Sequence, residues 1–271
     1  MKKHITILTV LFLTSFNLFS QKISQDSISD IINNAPSFTI FQDNYFMTGP
    51  TLDGPVSRNT SDAKFQISFK QRLTKSTLPF NTYLFLAYTQ KSFWKIYKDS
   101  SPFSETNYNP ALGIGKFFVN KNSLLRIVAI AYEHESNGKD SIYSRSWNRI
   151  SFQYMQELSK TSSITLKGWI PMSYKHDNPD LIKYVGYGEI SYSQKICNGR
   201  FIFDITSRKA MSWDDIGSIS TQVSYRISKN NNQYLSVQYY TGYAESLVDY
   251  TQKTNMIRFG FVIKPSKSVF Y

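Results

Sequence analysis

The chain has 271 residues, and its single cysteine, Cys197, excludes an internal disulfide framework or a cysteine-based metal site. The formal net charge of +12 suits an anionic partner, and in a chain predicted to be exported this is anionic lipid rather than nucleic acid; scattered solubilising lysines would explain the charge equally well. Aromatic residues make up 16% of the chain, and no segment beyond the N-terminus reaches 18 apolar residues, which excludes a helical membrane protein but not a membrane β-barrel.

Residues 1–20 are predicted to be a secretory signal peptide. Lys2 and Lys3 give a basic start, residues 5–19 are mostly apolar, and Ser20 is a small residue at a plausible cleavage point. The alternative is a membrane anchor. The apolar run is interrupted by polar residues and is too short to span a bilayer as a helix.

Residues 21–37 are polar without a clear period and are interpreted as an N-terminal arm. Residues 38–271 then read as a single domain of segments about ten residues long, separated by Gly, Pro, Asn, Asp and Ser. Eleven segments are predicted to be strands: 64–73, 80–90, 110–118, 124–136, 146–158, 163–173, 183–195, 200–208, 216–227, 233–242 and 255–264. A weaker segment at 41–48 makes twelve, and an even number of strands is typical of a closed bacterial outer-membrane barrel.

Alternation within the segments indicates two unlike faces. In 146–158, Ile150, Phe152 and Tyr154 share one parity, while Ser151 and Gln153 share the other. A soluble β-sandwich also alternates, but long strands with side chains as large as Arg and Gln on the polar face favour a wet lumen. The predicted fold is therefore all-β, a twelve-stranded antiparallel transmembrane β-barrel.

His134 and Ser136 lie two residues apart near the end of segment 124–136, so both side chains share one strand face. If His134 pairs with Asn148, then Tyr132 meets Ile150, and apolar residues lie beside apolar residues. This register predicts that His134, Ser136 and Asn148 face lipid near the membrane surface.

These three residue types suit ester hydrolysis. A serine hydroxyl needs a base, which His134 can supply to Ser136, and a histidine needs an acceptor that fixes its tautomer. Asn148 would accept with its amide oxygen, and a neutral amide avoids the cost of a carboxylate at an apolar face. A His-x-Ser pair also arises by chance, so the prediction depends on its coincidence with strand phase and with Asn148.

The connecting loop SNGKDSIYS, residues 136–144, is rich in oxygen ligands. A hard cation such as Ca²⁺, bound by hydroxyl and backbone oxygens, could stabilise the oxyanion of an ester hydrolase. The alternative is an ordinary hairpin loop in which Asn137 and Gly138 form the turn, and spacing alone favours this alternative.

The segment HESNGKDSIYSRSWNR, residues 134–149, closely resembles the active-site signature of the outer membrane phospholipase A family. The resemblance extends to AYTQKSFW at 87–94, SSPFSETNYNP at 100–110, HDNPD at 176–180 and GYAESLVDY at 242–250. It implies a twelve-stranded, calcium-dependent integral barrel of the bacterial outer membrane. It also implies an enzyme that is active as a homodimer and hydrolyses acyl esters of phospholipids and lysophospholipids.

The resemblance also implies roles for single residues. Ser136 would be the nucleophile, His134 the base and Asn148 the residue that orients it. Calcium would be bound by the carbonyl of Lys139 and the hydroxyl of Ser144, with the carbonyl of Ser100 from a second subunit.

Two further residues match positions with a role in the family. Gln90 falls at a polar position of the dimer interface, and Asp177 falls on an acidic residue of a calcium site in the monomer. Lys139 stands where the family often has Arg. Ser141 stands where a family member has an acidic calcium ligand, with Asp140 one place earlier.

Three functions compete on the sequence. The leading one is a membrane-embedded lipid esterase. A non-enzymatic barrel, such as a porin or scaffold that retained the sequence, is the chief rival, and a lipid-binding transport barrel is the third.

Overall fold

The computed structural model describes residues 36–74, 78–119, 124–210, 216–229 and 231–265. The predicted signal peptide, 1–20, and most of the predicted N-terminal arm lie outside these residues.

The described residues form one antiparallel sheet. Its strands are β1 (Phe38–Ile40), β2 (Asn44–Pro50), β3 (Ser61–Arg72), β4 (Tyr83–Trp94), β5 (Phe103–Val119), β6 (Leu125–Ser136), β7 (Ser146–Glu157), β8 (Ser162–Met172), β9 (Gly188–Ile196), β10 (Phe201–Lys209), β11 (Gly217–Arg226), β12 (Gln233–Gly242) and β13 (Thr254–Ile263). Strands β2 to β13 each pair with the next, and β13 pairs with β2, so that twelve strands close into a barrel. Short β1 pairs with the far end of β3, in line with β2. The predicted twelve-stranded antiparallel barrel is confirmed.

The accessible and the buried face of the sheet carry the reverse of the residue types found in a soluble sandwich. Large apolar side chains point outward and stay accessible, as with Ile130 at 49% exposure. Polar and charged side chains point into the barrel, as with Glu133 at 5% and Arg258 at 2%. A sandwich would bury the first group and expose the second, so this pattern decides for a barrel whose outside faces lipid.

Strand β5 begins at Phe103, seven residues before the predicted segment 110–118. The added part carries inward polar residues, Glu105 and Asn107, both 2% exposed. Pro110, the first residue of the predicted segment, follows the added part directly, and proline usually argues against an internal strand position. Because these residues break the apolar alternation, the sequence pattern predicted a β5 that was too short.

The two ends of the barrel differ in the length of their connections. At the end that holds residues 137–145, every connection has seven residues or more; we call this the loop end. At the opposite end, called the turn end, four of the five connections have six residues or fewer. Outer-membrane barrels have short periplasmic turns and longer extracellular loops.

Apolar side chains fill the mouth of the barrel at the loop end. This mouth cluster comprises Trp147, Trp169, Leu181, Ile182, Val185, Ala244, Leu247 and Tyr250. It joins β7 and β8 to the connections 173–187 and 243–253, and the first of these contains a short helix, α1 (Leu181–Val185). No helix in the described part of the chain is long and apolar enough to cross a membrane.

Candidate active site

Strands β6 and β7 bring His134 and Asn148 together. The two residues are direct partners in the β6–β7 ladder, Tyr132 pairs with Ile150, and Ile130 pairs with Phe152, so the predicted register is confirmed. Nδ1 of His134 lies 2.8 Å from Oδ1 of Asn148. Because an amide oxygen can only accept, the bond places the imidazole proton on Nδ1 and leaves Nε2 as the basic nitrogen.

Ser136 ends β6 on the same outward face, opposite Ser146 of β7 and Tyr108 of β5. Its side chain is half-buried. Among the described residues no hydrogen bond joins the Ser136 hydroxyl to His134. Such bonds are often long without substrate and tighten in the reactive complex. The arrangement is a serine two positions from a histidine whose tautomer is already fixed.

Pro110 shapes the ladder on the other side of His134. In the described β5–β6 ladder, Tyr108 pairs with Ser136 and Ala111 with Glu133, and the positions between them are skipped. Proline has no N–H to donate. Instead, the side chain of Asn109 donates to the carbonyl of His134 at 2.7 Å, which gives this carbonyl a donor beside the proline.

The loop from β6 to β7 is held by Asn137, which is 4% exposed. Its amide nitrogen donates to the carbonyl of Tyr143 at 2.8 Å, and its amide oxygen accepts the backbone N–H of Arg145 at 3.0 Å. Gly138 has a φ of 64°, a left-handed conformation suited to glycine. The loop continues through a short 3-10 helix, Ser141–Tyr143, and is fixed from within by Asn137.

Asp177 reaches this loop from the connection between β8 and β9. Its Oδ2 accepts the hydroxyls of Ser144, at 3.2 Å, and Ser146, at 2.8 Å, while its Oδ1 accepts Nδ1 of His176 at 2.7 Å. The bond from His176, followed by the bond from Ser146, holds the pKa of the Asp177 carboxyl below its usual value. Asp177 and Ser144, both singled out from the sequence, thus meet beside Ser136.

Sequence reasoning missed the residue that docks this connection. Asn178 is fully buried, and its amide accepts the N–H of Ser146 at 3.2 Å and donates to the Ser146 carbonyl at 2.9 Å. Asn178 is thus paired like a strand residue with the first residue of β7. A period-two pattern cannot reveal a partner that arrives 32 residues later on an irregular segment.

The other two predicted ligand residues, Lys139 and Ser100, lie in different connections of the loop end. The side chain of Lys139 turns away and donates to the carbonyl of Ser104 at 2.9 Å. Ser100 lies in the connection between β4 and β5, with a φ of 61°. Within the described residues no group of three or more His, Cys, Asp or Glu side chains could hold a metal.

Gln90 lies on β4, where even-numbered side chains face outward. It accepts the hydroxyl of Tyr88 at 3.0 Å, and its amide nitrogen is 3.4 Å from the Ser92 hydroxyl. Both bonds are local, so the amide keeps unused bonding capacity on a surface that faces lipid.

Behind the outward residues, the alternate positions of β6 and β7 carry a buried ionic group that the sequence analysis missed. Nε of Arg149 donates to Glu133 at 2.8 Å, and its Nη1 donates to Glu135 at 3.0 Å. Lys167 reaches Glu133 from β8 at 2.8 Å. Trp147 donates to Glu135 at 3.1 Å and lies under the Arg149 guanidinium at 4.3 Å. We call Glu133, Glu135, Arg149 and Lys167 the lumen clamp.

Comparison with known proteins places this geometry in a family. The model of the family "Phospholipase A1" matches residues 32–263. The phospholipase A1 of Escherichia coli K12 is 35% identical over 220 residues, which are 79% of this chain and 73% of that protein.

Two solved structures share the fold. The Salmonella typhi outer membrane phospholipase dimer with bound calcium superposes with a TM-score of 0.75 at 28% identity, covering 88% of this chain and 96% of that one. An asparagine-to-alanine active-site mutant of Escherichia coli outer membrane phospholipase A has a TM-score of 0.76 at 28% identity, covering 89% and 99%. The chain therefore belongs to the phospholipase A1 family and is a phospholipid-hydrolysing β-barrel enzyme of the outer membrane.

Proposed function

We propose that Ser136, His134 and Asn148 form the catalytic triad, and that the enzyme hydrolyses acyl esters of phospholipids and lysophospholipids from the lipid-facing side of the barrel. The observation that carries this proposal is the 2.8 Å bond between His134 Nδ1 and Asn148 Oδ1 on the outward face, with Ser136 two residues along the same strand. The Escherichia coli relative whose active-site mutant lacks an asparagine side chain adds support.

The reaction proceeds in two steps, acylation of Ser136 and hydrolysis of the acyl-serine. Ser136 Oγ attacks the ester carbonyl carbon, while Nε2 of His134 takes the hydroxyl proton and then passes it to the departing alkoxide. The products are an acyl-serine and a lysophospholipid, or a glycerophosphodiester when the substrate is a lysophospholipid. Water then attacks the acyl-serine with His134 again as base, and the fatty acid leaves as Ser136 regains its proton.

Asn148 keeps Nε2 free to act as the base in both steps. Its amide oxygen accepts the N–H of Nδ1 and so excludes the tautomer in which Nε2 would carry the proton. The outward position also lets an acyl chain approach from the bilayer without entering the polar lumen.

We further propose a calcium site at the same loop. The donor set is suitable, because Ser144, Ser146 and Asp177 bring two hydroxyls and a carboxylate together beside Ser136, and calcium prefers oxygen ligands. The Lys139 carbonyl and the Ser144 hydroxyl would hold the ion with Ser100 of the partner subunit, and Asp177 would serve a site in the monomer. When bound, calcium supplies positive charge for the oxyanion of the acyl-transfer step.

The active assembly is proposed to be a homodimer. The partner subunit's Ser100 would add a third protein ligand to those from Lys139 and Ser144, and waters would complete the six to eight that calcium takes. The unused capacity of outward Gln90 supports a protein partner on that face rather than lipid alone. A related dimer with bound calcium has the same fold.

Ser136→Ala tests the proposal in refolded protein. We expect calcium-dependent release of fatty acid from wild type, none from the variant, and labelling of Ser136 alone by a serine-reactive sulfonyl fluoride. In a non-enzymatic barrel the substitution would have no effect on fatty-acid release. Full activity in Ser136→Ala, or labelling of another serine, would refute the assignment.

A further inference from the structure

The turn end of the barrel carries a concentration of basic side chains that the catalytic site does not use. Five of them lie at the ends of strands or in the turns of the β5–β12 half. They are Lys116, Arg126, Lys160, Arg200 and Lys229. We call these five residues the basic rim.

The basic rim faces outward or lies in exposed turns. Lys116 has the parity of Ile114, 47% exposed, and Arg126 has that of Val128, 39% exposed. Lys160, Arg200 and Lys229 are exposed in their turns. These cations therefore do not belong to the polar network of the lumen.

Two rim cations are held over aromatic rings on the same outer surface. Nζ of Lys116 lies 4.9 Å from the ring centre of Phe118. Arg200 lies 5.3 Å from the ring of Tyr225 and donates to its hydroxyl at 2.8 Å. Rings of this kind mark the depth of the headgroups in outer-membrane barrels, so the charges are positioned at that depth.

Apolar side chains alternate with the basic rim around the same half of the barrel. The exposed ones are Phe118, Leu158, Ile196, Phe201 and Ile227, between 37% and 48% accessible. A surface with cations directly beside accessible apolar groups fits the boundary between headgroups and acyl chains better than it fits water.

Acidic groups in the described part of the turn end point into the barrel. Asp43 and Asp204 both accept Nζ of Lys264, at 2.7 and 2.8 Å. Glu157 is 6% exposed and accepts the N–H of Leu125 at 3.0 Å. Among the described residues of the turn end, these acids therefore do not lie on the outer surface that carries Lys116, Arg126, Arg200 and Lys229.

The loop end differs, because its connections mix both signs. Exposed or half-exposed acids there include Asp53, Asp99, Asp140, Asp177, Asp180 and Asp249. Over the described residues, positive charge is thus unevenly distributed along the barrel axis, and on the outer surface of the turn end it is not mixed with acidic side chains.

We propose that the basic rim binds the anionic headgroups of phospholipids in the leaflet at the turn end. Each Lys or Arg near an anionic lipid surface raises the binding constant for that surface about fivefold, and the effect decays within a Debye length. Five cations spread over four turns match a ring of several lipids rather than one enclosed ligand. The inference rests on the outer-membrane location of the barrel and is independent of the catalytic triad.

Lipid selectivity measures this interaction directly. Full-length protein is reconstituted in phosphatidylcholine vesicles containing a trace of spin-labelled phosphatidylglycerol or phosphatidylcholine, and the motionally restricted fraction of each gives their relative association with the barrel. We expect a several-fold preference for phosphatidylglycerol that approaches unity at high salt. Equal association of the two lipids at low salt would overturn the proposal.

Matched variants locate the effect on the surface. In the rim variant, Lys116, Lys160, Arg200 and Lys229 are changed to Gln; in the control variant, the exposed loop-end residues Arg58, Lys175, Lys183 and Lys253 are changed to Gln. Both lose four positive charges. The preference should vanish in the rim variant and persist in the control, and the opposite result, or equal loss in both, would refute a role for the basic rim.

Inorganic phosphate distinguishes a headgroup surface from a simple anion site. At constant ionic strength, replacing chloride by phosphate should leave the preference for phosphatidylglycerol unchanged. Its removal by phosphate would show a site for free anions and would overturn the assignment to lipid. Because no step of the measurement uses hydrolysis, its outcome is separate from that of the Ser136 test.

Discussion

At the scale of single residues, the neutral acceptor of His134 follows from where the site lies. The histidine shares an outward face with Tyr132, which is 50% exposed, and with apolar neighbours on β7. An ionised carboxylate on this surface would lose hydration with little in return. An amide positions the imidazole at lower cost, although it stabilises the imidazolium less than a carboxylate would.

This difference predicts graded effects of substitution. Ser136→Ala and His134→Ala should lower kcat by about 10⁴-fold or more. Asn148→Ala should cost about 10- to 100-fold, as is usual for a residue that orients another. Initial rates on a micellar ester, with the folded fraction measured by gel mobility, check this. Equal losses in all three variants would show that Asn148 does more than orient His134.

The residues near the proposed triad show which parts of the site a sequence can predict. His134, Ser136 and Asn148 were placed correctly on one face because strand parity and apolar matching together allow one register. Asn178 was not found, because its bonds to Ser146 depend on how an irregular connection folds back. Local periodicity carries no information on that path.

At the scale of strands, the lumen clamp and the proposed triad occupy alternate positions of the same ladder. Glu133 and Glu135 flank His134, and Arg149 follows Asn148, so one arginine ties both carboxylates of β6 to β7. A slip of one residue would move every outward side chain into the lumen. The same slip would separate the buried charges, and the clamp therefore reinforces the register that joins His134 to Asn148.

Arg149→Met should consequently impair the site as well as the fold. Removing one partner of a buried ionic group costs about 3–5 kcal/mol of stability. Lys264→Met is the matched control, since Lys264 also binds two carboxylates, but at the turn end. In equally folded samples we expect slower sulfonyl labelling of Ser136 in Arg149→Met only. Equal labelling rates in the two variants would restrict the clamp to a structural role.

At the scale of the whole molecule, the barrel is closed at the loop end. Below the mouth cluster, Glu245 from the connection 243–253 bonds to Lys64 at 2.8 Å and to Arg258 at 2.7 Å. Burial would raise the pKa of Glu245, but the two cations outweigh it and lower the pKa to about 2. An open aqueous pore, which the porin alternative requires, does not fit a mouth filled by aromatic and ion-paired side chains.

The ion pairs of Glu245 predict a dependence of stability on pH. A folded pKa of about 2 lies below the unfolded value of about 4.3, so the contribution is complete above pH 4.3 and is lost as the pH falls towards 2. Thermal unfolding in detergent should show this loss in wild type. Glu245→Gln should be less stable at neutral pH and should lack that part of the pH dependence. An unchanged acid limb in the variant would contradict the assignment.

Calcium and the dimer should be linked, because the proposed calcium site uses oxygens of both subunits. Calcium then binds the dimer more tightly than the monomer, and by thermodynamic reciprocity it must favour dimerisation by the same factor. Gln90→Ala removes the outward amide without touching the calcium loop and should weaken dimerisation; Ser144→Ala should weaken both dimerisation and its response to calcium. Crosslinking in micelles with and without calcium, alongside activity at several protein-to-detergent ratios, measures the coupling. Full activity in dilute monomer, with a crosslinked fraction indifferent to calcium, would show that each subunit carries a complete site of its own.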